Sequence, residues 1–327
     1  NKTIYVHGKS YTGNLTFAAA NVTLDGSGNQ KSARADELIN TAQFTGGITI
    51  SANGIKLKGI DFTSPVEKAI QFTSGANNVT LQNCKFIATP SVSDSKFWWG
   101  ENYGQGNITI KNCRVEGFKD VHLFDANTTS AVPTTPLNHV KIQECYFKNN
   151  LGSLATRGMD ATPNKSVEYS NNKFETTVLH ASFWDFVEIN NSKKAIVKDN
   201  VFIAPVGTES ETGKKGVFQT WSKSDKPWNI IYSGNAISNI KFGIKIPLVN
   251  GFYAPDTTGD DFVIDLTSSH TNVTYGMSVL YKSNTGSTAS HLKYHPGLTP
   301  PNDYTPVNAV AYPSIPTINT NNLTIVQ

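Results

Sequence analysis

The sequence predicts an all-β chain that folds as a right-handed parallel β-helix, a solenoid of about seven to nine coils with end caps. Three observations support this fold: an eight-residue motif recurs along the chain, apolar residues alternate inside it, and the composition favours strands and turns. Charged residues make up only 16% of the 327 positions, whereas Asn, Thr, Ser and Gly occur in almost every segment. This mixture suits strands and turns better than helices.

The recurring motif is clearest when each copy is written from its first apolar residue. Its copies are IKLKGIDF from Ile55, VTLQNCKF from Val79, ITIKNCRV from Ile108, VKIQECYF from Val140, VEYSNNKF from Val167, AIVKDNVF from Ala195 and IIYSGNAI from Ile230. They begin 24 to 35 residues apart, which indicates one copy per coil with loops of variable length between copies. Positions 1 and 3 are apolar and positions 2 and 4 are mostly polar, as in a half-buried strand. Positions 5 and 6 are expected to turn the chain.

Stacked coils place equal motif positions above one another at the ~4.8 Å spacing of neighbouring strands. Position 8 then forms an interior column of Phe62, Phe86, Val115, Phe147, Phe174, Phe202 and Ile237. Position 6 forms a second column of Ile60, Cys84, Cys113, Cys145, Asn172, Asn200 and Asn235. We interpret the cysteines as small buried side chains, because no two of them form a C-x-x-C pair. The asparagines below them can form an amide ladder that binds turn backbone groups.

The repeat indicates a single domain. Residues 1–47 are expected to form an N-terminal cap and entry coils, residues 48–250 the central coils, and residues 251–327 the C-terminal coils and cap loops. No apolar run approaches the ~18–20 residues that cross a bilayer. The chain begins at Asn1 rather than Met, so we expect that a signal or an upstream domain has been removed.

The charge pattern excludes one class of partner. The net charge is +3, and lysines and acidic residues are interleaved along the chain. Binding to nucleic acid requires a basic stripe that neutralises phosphates, and the sequence has none. We therefore expect no nucleic-acid partner.

With these residues in hand, the chain resembles the pectin-lyase-like superfamily of right-handed β-helices, which includes polysaccharide lyases, polygalacturonase-type hydrolases and phage tailspikes. The resemblance rests on the coil motif over residues 48–246 and on the opening segments IYV and NVTLDGSG. It does not extend to a catalytic signature: the W-x-D-H segment of pectate lyases, the G-H-G of polygalacturonases and the pectin methylesterase motifs are absent from the sequence. Fold alone does not fix function, so the chemistry must come from exposed side chains.

The resemblance directs attention to one strand column. In such coils the strands follow the order PB1, PB2 and PB3, the motif supplies PB2 and PB3, and ligands usually lie along PB1. Just upstream of the motifs stand KAIQF, KFWWGEN, DVHLFDAN, LATRGMD, SFWDFVEI, GVFQTW and FGIKI. Trp rings there could stack on sugars while polar groups bind hydroxyls, although one ring of each pair should point inward. The candidate substrate-binding residues are Trp98, Trp99, Glu101, His180, Trp184, Glu188, Gln219, Trp221 and Lys223.

The candidate catalytic residues are His122, Asp125, Arg157, Asp160 and Asp185. A hydrolase needs two carboxyl groups, ~5 Å apart for retention or ~6.5–9.5 Å for inversion, and the three aspartates lie on successive coils. A lyase instead needs a base, such as His122 or His180, and a cation such as Arg157 that neutralises a uronate carboxylate. The alternative is that Arg157 only pairs with Asp160 or Asp125 in a surface network.

No cofactor is expected, no metal site is predicted, and calcium is left open without a motif that supports it. Two functions remain. The first is an extracellular polysaccharide lyase or glycoside hydrolase that uses a groove along PB1. The second is a non-catalytic glycan-binding spike, adhesin or structural rod. The expected partner is a polysaccharide or cell-surface glycan, with no membrane span, and an oligomer if the chain is part of a spike. The expected location is extracellular or on a cell or virion surface.

Overall fold

The computed structural model describes residues 1–32, 35–73, 75–90, 94–100, 106–125, 138–158, 163–177, 185–208, 216–222, 228–248, 263–264, 270–282 and 289–294. Within them the regular structure is β-strand, apart from short 3-10 helices at Ser27–Asn29 and Ala35–Glu37. No helix in this part of the chain has the length and apolar character needed to cross a bilayer. The strands stack into a parallel β-helix, which confirms the predicted fold class.

Three strand columns form the faces of the β-helix. The PB2 face is a parallel sheet of Lys2–Tyr5, Val22–Asp25, Lys56–Lys58, Val79–Gln82, Asn107–Lys111, His139–Gln143, Ser166–Ser170, Lys194–Lys198, Asn229–Ser233 and Val263–Ile264. The PB3 face consists of Ser10–Thr12, Gln43–Thr45, Asp61–Ser64, Lys85–Ala88, Arg114–Glu116, Tyr146–Lys148, Lys173–Glu175, Val201–Ile203 and the first part of Ala236–Leu248. The sequence motif therefore does supply PB2 and PB3.

The PB1 face comes in two parts. Its N-terminal part is a four-stranded sheet of Leu15–Phe17, Ile48–Ile50, Lys68–Phe72 and Lys96–Trp99. Its C-terminal part contains Val121–Asp125, Leu154–Arg157, Asp185–Asn190, Gly216–Trp221 and the second part of Ala236–Leu248. That last strand runs without a break from PB3 to PB1, so it joins both faces in one sheet. The candidate site lies on this second part.

The remaining strands lie at the ends and in one insertion. His270–Lys282 pairs in parallel with Ala236–Leu248 and antiparallel with Ala289–Tyr294. Gln30–Ser32 and Ile39–Asn40 form a small antiparallel pair between the second PB2 strand and its PB3 strand.

The described strands form nine coils that each contain a PB2, a PB3 and a PB1 strand, within the seven to nine expected, and a tenth PB2 strand, Val263–Ile264, follows them. The first coil lies at the N-terminal end. Lys2–Tyr5, Ser10–Thr12 and Leu15–Phe17 pair with the next strand of PB2, PB3 and PB1 respectively. Residues 2–17 therefore form a complete coil within the segment 1–47 that was expected to hold the cap and entry coils.

The turn between PB2 and PB3 has a specific backbone requirement at motif position 5. This position takes a φ of 50° to 64° in Gly59, Asn83, Asn112, Glu144, Asn171, Asp199 and Gly234. Gly, Asn and Asp reach this left-handed region more readily than other residues. The requirement explains why six of these seven positions hold one of those three residue types.

The predicted interior column of position 8 is confirmed. Strand register aligns Phe62, Phe86, Val115, Phe147, Phe174, Phe202 and Ile237 on successive coils. Phe147 and Phe174 stack with ring centroids 4.8 Å apart, and Phe174 and Phe202 stack at 4.9 Å. All of these side chains are buried, so the column forms the centre of the hydrophobic core.

The cysteine and asparagine ladder of position 6 is also confirmed. The three cysteines are buried and free, and the backbone N–H groups of Cys84 and Cys113 donate to the Sγ atoms of Cys113 and Cys145 at 3.4 Å. The backbone N–H of Cys145 donates to Asn172 Oδ1 at 2.9 Å, and the pattern continues through Asn200 to Asn235. Burial raises the pKa of the Cys113 thiol, as does its contact with the other two thiols.

Two interior tyrosines differ in how their hydroxyl groups are satisfied. Tyr169 and Tyr232 are both fully buried and lie on the same inward column of PB2, with Val197 between them. The Tyr169 hydroxyl forms a 2.7 Å hydrogen bond with Thr156 Oγ1. The Tyr232 hydroxyl has no hydrogen-bond partner within the described chain. Burial raises the pKa of both phenols, so neither ionises near neutral pH.

Substituting Phe147→Ala should lower the free energy of unfolding by ~3–5 kcal/mol, because a cavity would open between Val115 and Phe174 in a stack that cannot close around it. Urea denaturation followed by tryptophan fluorescence measures this loss. A loss below ~1 kcal/mol would show that the column is not tightly packed around this ring.

The two tyrosines provide a matched pair of tests. Tyr232→Phe should raise the free energy of unfolding by ~1 kcal/mol, because it removes a buried hydroxyl without a partner. Tyr169→Phe should lower it by ~1–2 kcal/mol, because it deprives Thr156 of its hydrogen bond. Both changes remove one oxygen from the same column, so shifts of equal sign in urea denaturation would contradict the assignment of the two hydroxyls.

Candidate functional site

The strand Asp185–Asn190 is buried at every residue, on its outward as well as its inward side. Val187 and Ile189 point into the hydrophobic core. Because strand side chains alternate, Glu188 and Asn190 lie on the outward face. Buried polar residues are an informative feature of a structure, and this face marks the centre of the candidate site.

Strand register brings polar residues of neighbouring coils onto this face. Glu188 aligns with Gln219, and Gln219 aligns with Lys245. Arg157 aligns with Asn190, and Asn190 aligns with Trp221. We refer to these outward residues, together with Asp185 at the start of the strand, as the PB1 cluster. Its members are Arg157, Asp185, Glu188, Asn190, Gln219, Trp221 and Lys245.

Glu188 is the acceptor at the centre of the cluster. Its Oε2 accepts a hydrogen bond from Arg157 Nη2 at 2.6 Å. Its Oε1 accepts hydrogen bonds from Asn190 Nδ2 and, at 3.4 Å, from Gln219 Nε2. Donors from three coils therefore converge on this carboxylate.

Asp185 lies at the start of the same strand and forms an ion pair with Lys245, whose Nζ is 2.5 Å from Asp185 Oδ1. The Lys245 side chain reaches Asp185 across Gly216. A Cβ atom at position 216 would lie 2.8 Å from both Asp185 Oδ1 and Lys245 Cε, so a residue with a side chain could not occupy this position without displacing them. Glycine at position 216 is therefore what permits the ion pair.

The two carboxyl groups have different electrostatic surroundings. Burial raises the pKa of Asp185 to about 6, with a further upward contribution from Glu188, while Lys245 and Arg157 act in the opposite direction. Asp185 therefore keeps its proton at a higher pH than an exposed aspartate. In the same cluster, Glu188 is surrounded by hydrogen-bond donors.

Asn190 has one orphaned atom. The side chain is fully buried, and its Nδ2 donates to Glu188. Its Oδ1 accepts no hydrogen bond within the described residues. Buried amide oxygens normally have a donor, so this atom could receive one from a ligand.

The structure corrects one candidate residue. Trp98 was expected to bind substrate, but its side chain is fully buried in the core, 4.6 Å from the ring of Phe97. Its indole Nε1 donates to the Val121 carbonyl at 3.1 Å. That expectation was wrong, because the ring fills the interior beneath PB1 and its polar group already has a partner.

The structure also gives the relative backbone positions of two of the three candidate aspartates, Asp125 and Asp185. Asp125 aligns with Arg157 and, through it, with Asn190, which is five residues beyond Asp185 on the strand. At ~3.3 Å per residue the backbones of these two positions are ~16 Å apart along the strand direction. The expected pairs of neighbouring coils both involve Asp160, which lies outside the described residues, so they stay predictions. The carboxyl group that accompanies Asp185 is that of Glu188, which the sequence suggested only as a substrate-binding residue.

Several candidates lie outside the described residues, namely Glu101, Asp160, His180, Trp184 and Lys223, and so do the side chains of Trp99, His122 and Asp125. Their roles stay predictions. The cluster includes two residues that sequence reasoning missed, Asn190 and Lys245. Strand alternation after Glu188 could have indicated Asn190, and Lys245 stands in the segment FGIKI upstream of the chain's C-terminal region. Within the described residues no group of three or more His, Cys, Asp or Glu could hold a metal ion.

No protein-family model matches the chain, and the search of curated proteins found no similar sequence. Among solved structures, the chain is similar to the catalytic domain of a GH87 alpha-1,3-glucanase variant in complex with tetrasaccharides. The sequences are 14% identical, the match covers 88% of this chain and 62% of that chain, and the TM-score is 0.36. The chain thus spans less than two thirds of the length of that structure. At this level of similarity the assignment of a β-helix rests on the strand pairing described above.

Proposed function

We propose that the protein acts outside the cell on carbohydrate polymers that lie along PB1, as a glycoside hydrolase whose carboxyl groups are Asp185 and Glu188. The observation that carries this proposal is the presence of both groups in one cluster with different surroundings. Burial raises the pKa of Asp185 to about 6, and Arg157, Asn190 and Gln219 donate hydrogen bonds to Glu188. Two carboxyl groups in surroundings as different as these are typical of acid and base pairs.

The roles follow from these different surroundings. Asp185 donates its proton to the glycosidic oxygen as the bond to the sugar breaks. Glu188 acts on the other side of the sugar, either as the nucleophile or as the base that activates water. Arg157 holds the Glu188 carboxylate in place and stabilises its charge. Lys245 fixes the Asp185 side chain next to it.

A second candidate is a non-catalytic glycan-binding protein. It is favoured by the small exposure of the two acids, since Asp185 and Glu188 are only 2% and 6% exposed. Acids this deeply covered can serve to hold Arg157, Gln219 and Lys245 in a rigid surface for binding. This candidate predicts binding of a polymer without any cleavage.

The raised pKa of Asp185 predicts a pH dependence of stability. Because the folded pKa is about 6 and an unfolded aspartate has a pKa of ~3.9, folding takes up a proton between these values. The free energy of unfolding should therefore fall as the pH rises from about 4 to about 6, by up to ~3 kcal/mol from this group. Urea denaturation at several pH values should show this slope in the parent and not in Asp185→Asn. An identical slope in both proteins would show that another group is responsible.

The function is tested with a panel of neutral and acidic polysaccharides, with reducing ends and the absorbance of unsaturated products measured in parallel. We expect reducing ends without absorbance, and a loss of at least ~100-fold in rate for Glu188→Gln. The matched control is Glu116→Gln, which breaks a similar pair with Arg114 on PB3, where Nη2 and Oε2 are 2.5 Å apart. It should keep the parent rate.

Three other outcomes would contradict the hydrolase. Unsaturated products would indicate a lyase. Binding without any product would indicate the non-catalytic candidate. The absence of both binding and cleavage over the whole panel would exclude a carbohydrate function.

A further inference from the structure

The charges of the PB1 cluster are balanced inside the cluster. Arg157 Nη2 lies 2.6 Å from Glu188 Oε2, and Lys245 Nζ lies 2.5 Å from Asp185 Oδ1. The exposed side-chain fractions are 20% and 8% in the first pair and 10% and 3% in the second. Above the Asp185 pKa of about 6, each cation thus has a carboxylate as a close partner, and both pairs are largely withdrawn from solvent.

This balance disfavours an acidic sugar as the ligand. To bind a uronate carboxylate, Arg157 would have to be shared with Glu188, or Lys245 with Asp185. Sharing would weaken the counter-charge of a buried carboxylate, which is unfavourable. The uronate would also bring a further negative charge close to two acidic side chains.

The polar atoms that remain suit hydroxyl groups. The buried Oδ1 of Asn190 accepts no hydrogen bond within the described part of the chain, so it requires a donor. A sugar hydroxyl is a donor, whereas an ionised carboxylate is an acceptor only. Gln219 is half-buried beside Glu188 and offers an amide, which can both donate to and accept from a hydroxyl.

An aromatic residue adjoins these amides. Trp221 pairs in register with Asn190, so the two residues lie side by side on the outward face. Trp221 is buried, with 8% of its surface exposed. A ring in this position can pack against the apolar face of a sugar whose hydroxyl groups reach the neighbouring amides.

We propose that the PB1 cluster binds an uncharged polysaccharide, with sugar hydroxyls bound by Asn190 and Gln219 and a sugar ring packed against Trp221. This inference rests on the proposed carbohydrate function and adds the substrate class to it. It also gives Arg157 a role different from the capture of a uronate, since its Nη2 donates to Glu188.

The test uses pairs of polymers that differ only in charge. Polygalacturonate and two other uronans of different linkage are each compared with the same polymer after its carboxyl groups have been reduced to hydroxymethyl groups. Binding is measured by affinity electrophoresis and calorimetry on the full chain. In at least one pair we expect the reduced polymer to bind tenfold or more tightly than its charged parent. That affinity should change less than twofold between 50 and 500 mM salt, since surface charge attraction is what salt screens.

The failure of this inference differs from the failure of the proposed function. If a charged parent binds as tightly as its reduced product or more tightly, a carbohydrate function stands and the uncharged class is wrong. If no member of any pair binds, and the wider polysaccharide panel also gives no binding, the carbohydrate function itself is wrong.

The binding residues are tested with two asparagine variants. Asn190→Ala should weaken binding of the reduced polymer at least tenfold. Asn229→Ala is the matched control, because Asn229 also has a buried Oδ1 without a hydrogen-bond partner but lies on PB2. It should bind like the parent. Equal losses in both variants, or none in Asn190→Ala, would overturn the assignment. If Asn190→Ala does not fold, as judged by its melting curve, Gln219→Ala takes its place and should show the same loss.

Discussion

The structure depends on the stacking of equal residues on successive coils. Each strand of a parallel β-helix hydrogen-bonds to the same strand one coil earlier and one coil later, so a side chain has its own counterpart as its closest neighbour. A residue that packs well against its own kind can therefore be repeated, whereas an unpaired charge or a misplaced bulky ring affects two coils at once. The interior phenylalanine column and the ladder of cysteines and asparagines both follow from this constraint.

The same constraint explains how the candidate site arises. On the outward face, stacking brings Glu188 next to Gln219 and Asn190 next to Arg157, although these residues are about thirty positions apart in sequence. Their side chains differ from coil to coil, so they do not repeat one another but complement one another, donor against acceptor. The site is therefore a local departure from the repetition that builds the rest of the molecule.

The inner columns were predictable from the sequence because every member obeys the period of two and the same motif position. The outer cluster was only partly predictable. Arg157, Asp185, Glu188, Gln219 and Trp221 were recognised from their residue types, but the pairing of Asp185 with Lys245 depends on a side chain that crosses Gly216. Sequence periodicity describes which way a strand residue points and not how far a long side chain reaches. Trp98 was misassigned for a related reason, since both Phe97 and Trp98 are buried in the core, contrary to simple alternation.

The ladder at motif position 6 has a direction. The backbone N–H of Cys84 is satisfied by Cys113, that of Cys113 by Cys145 and that of Cys145 by Asn172, so the acceptor always belongs to the following coil. During synthesis, a coil that has just left the ribosome holds a donor whose acceptor has not yet been made. Each new coil therefore supplies the acceptor for the backbone donor of the coil before it. The two ends of this ladder are therefore chemically different.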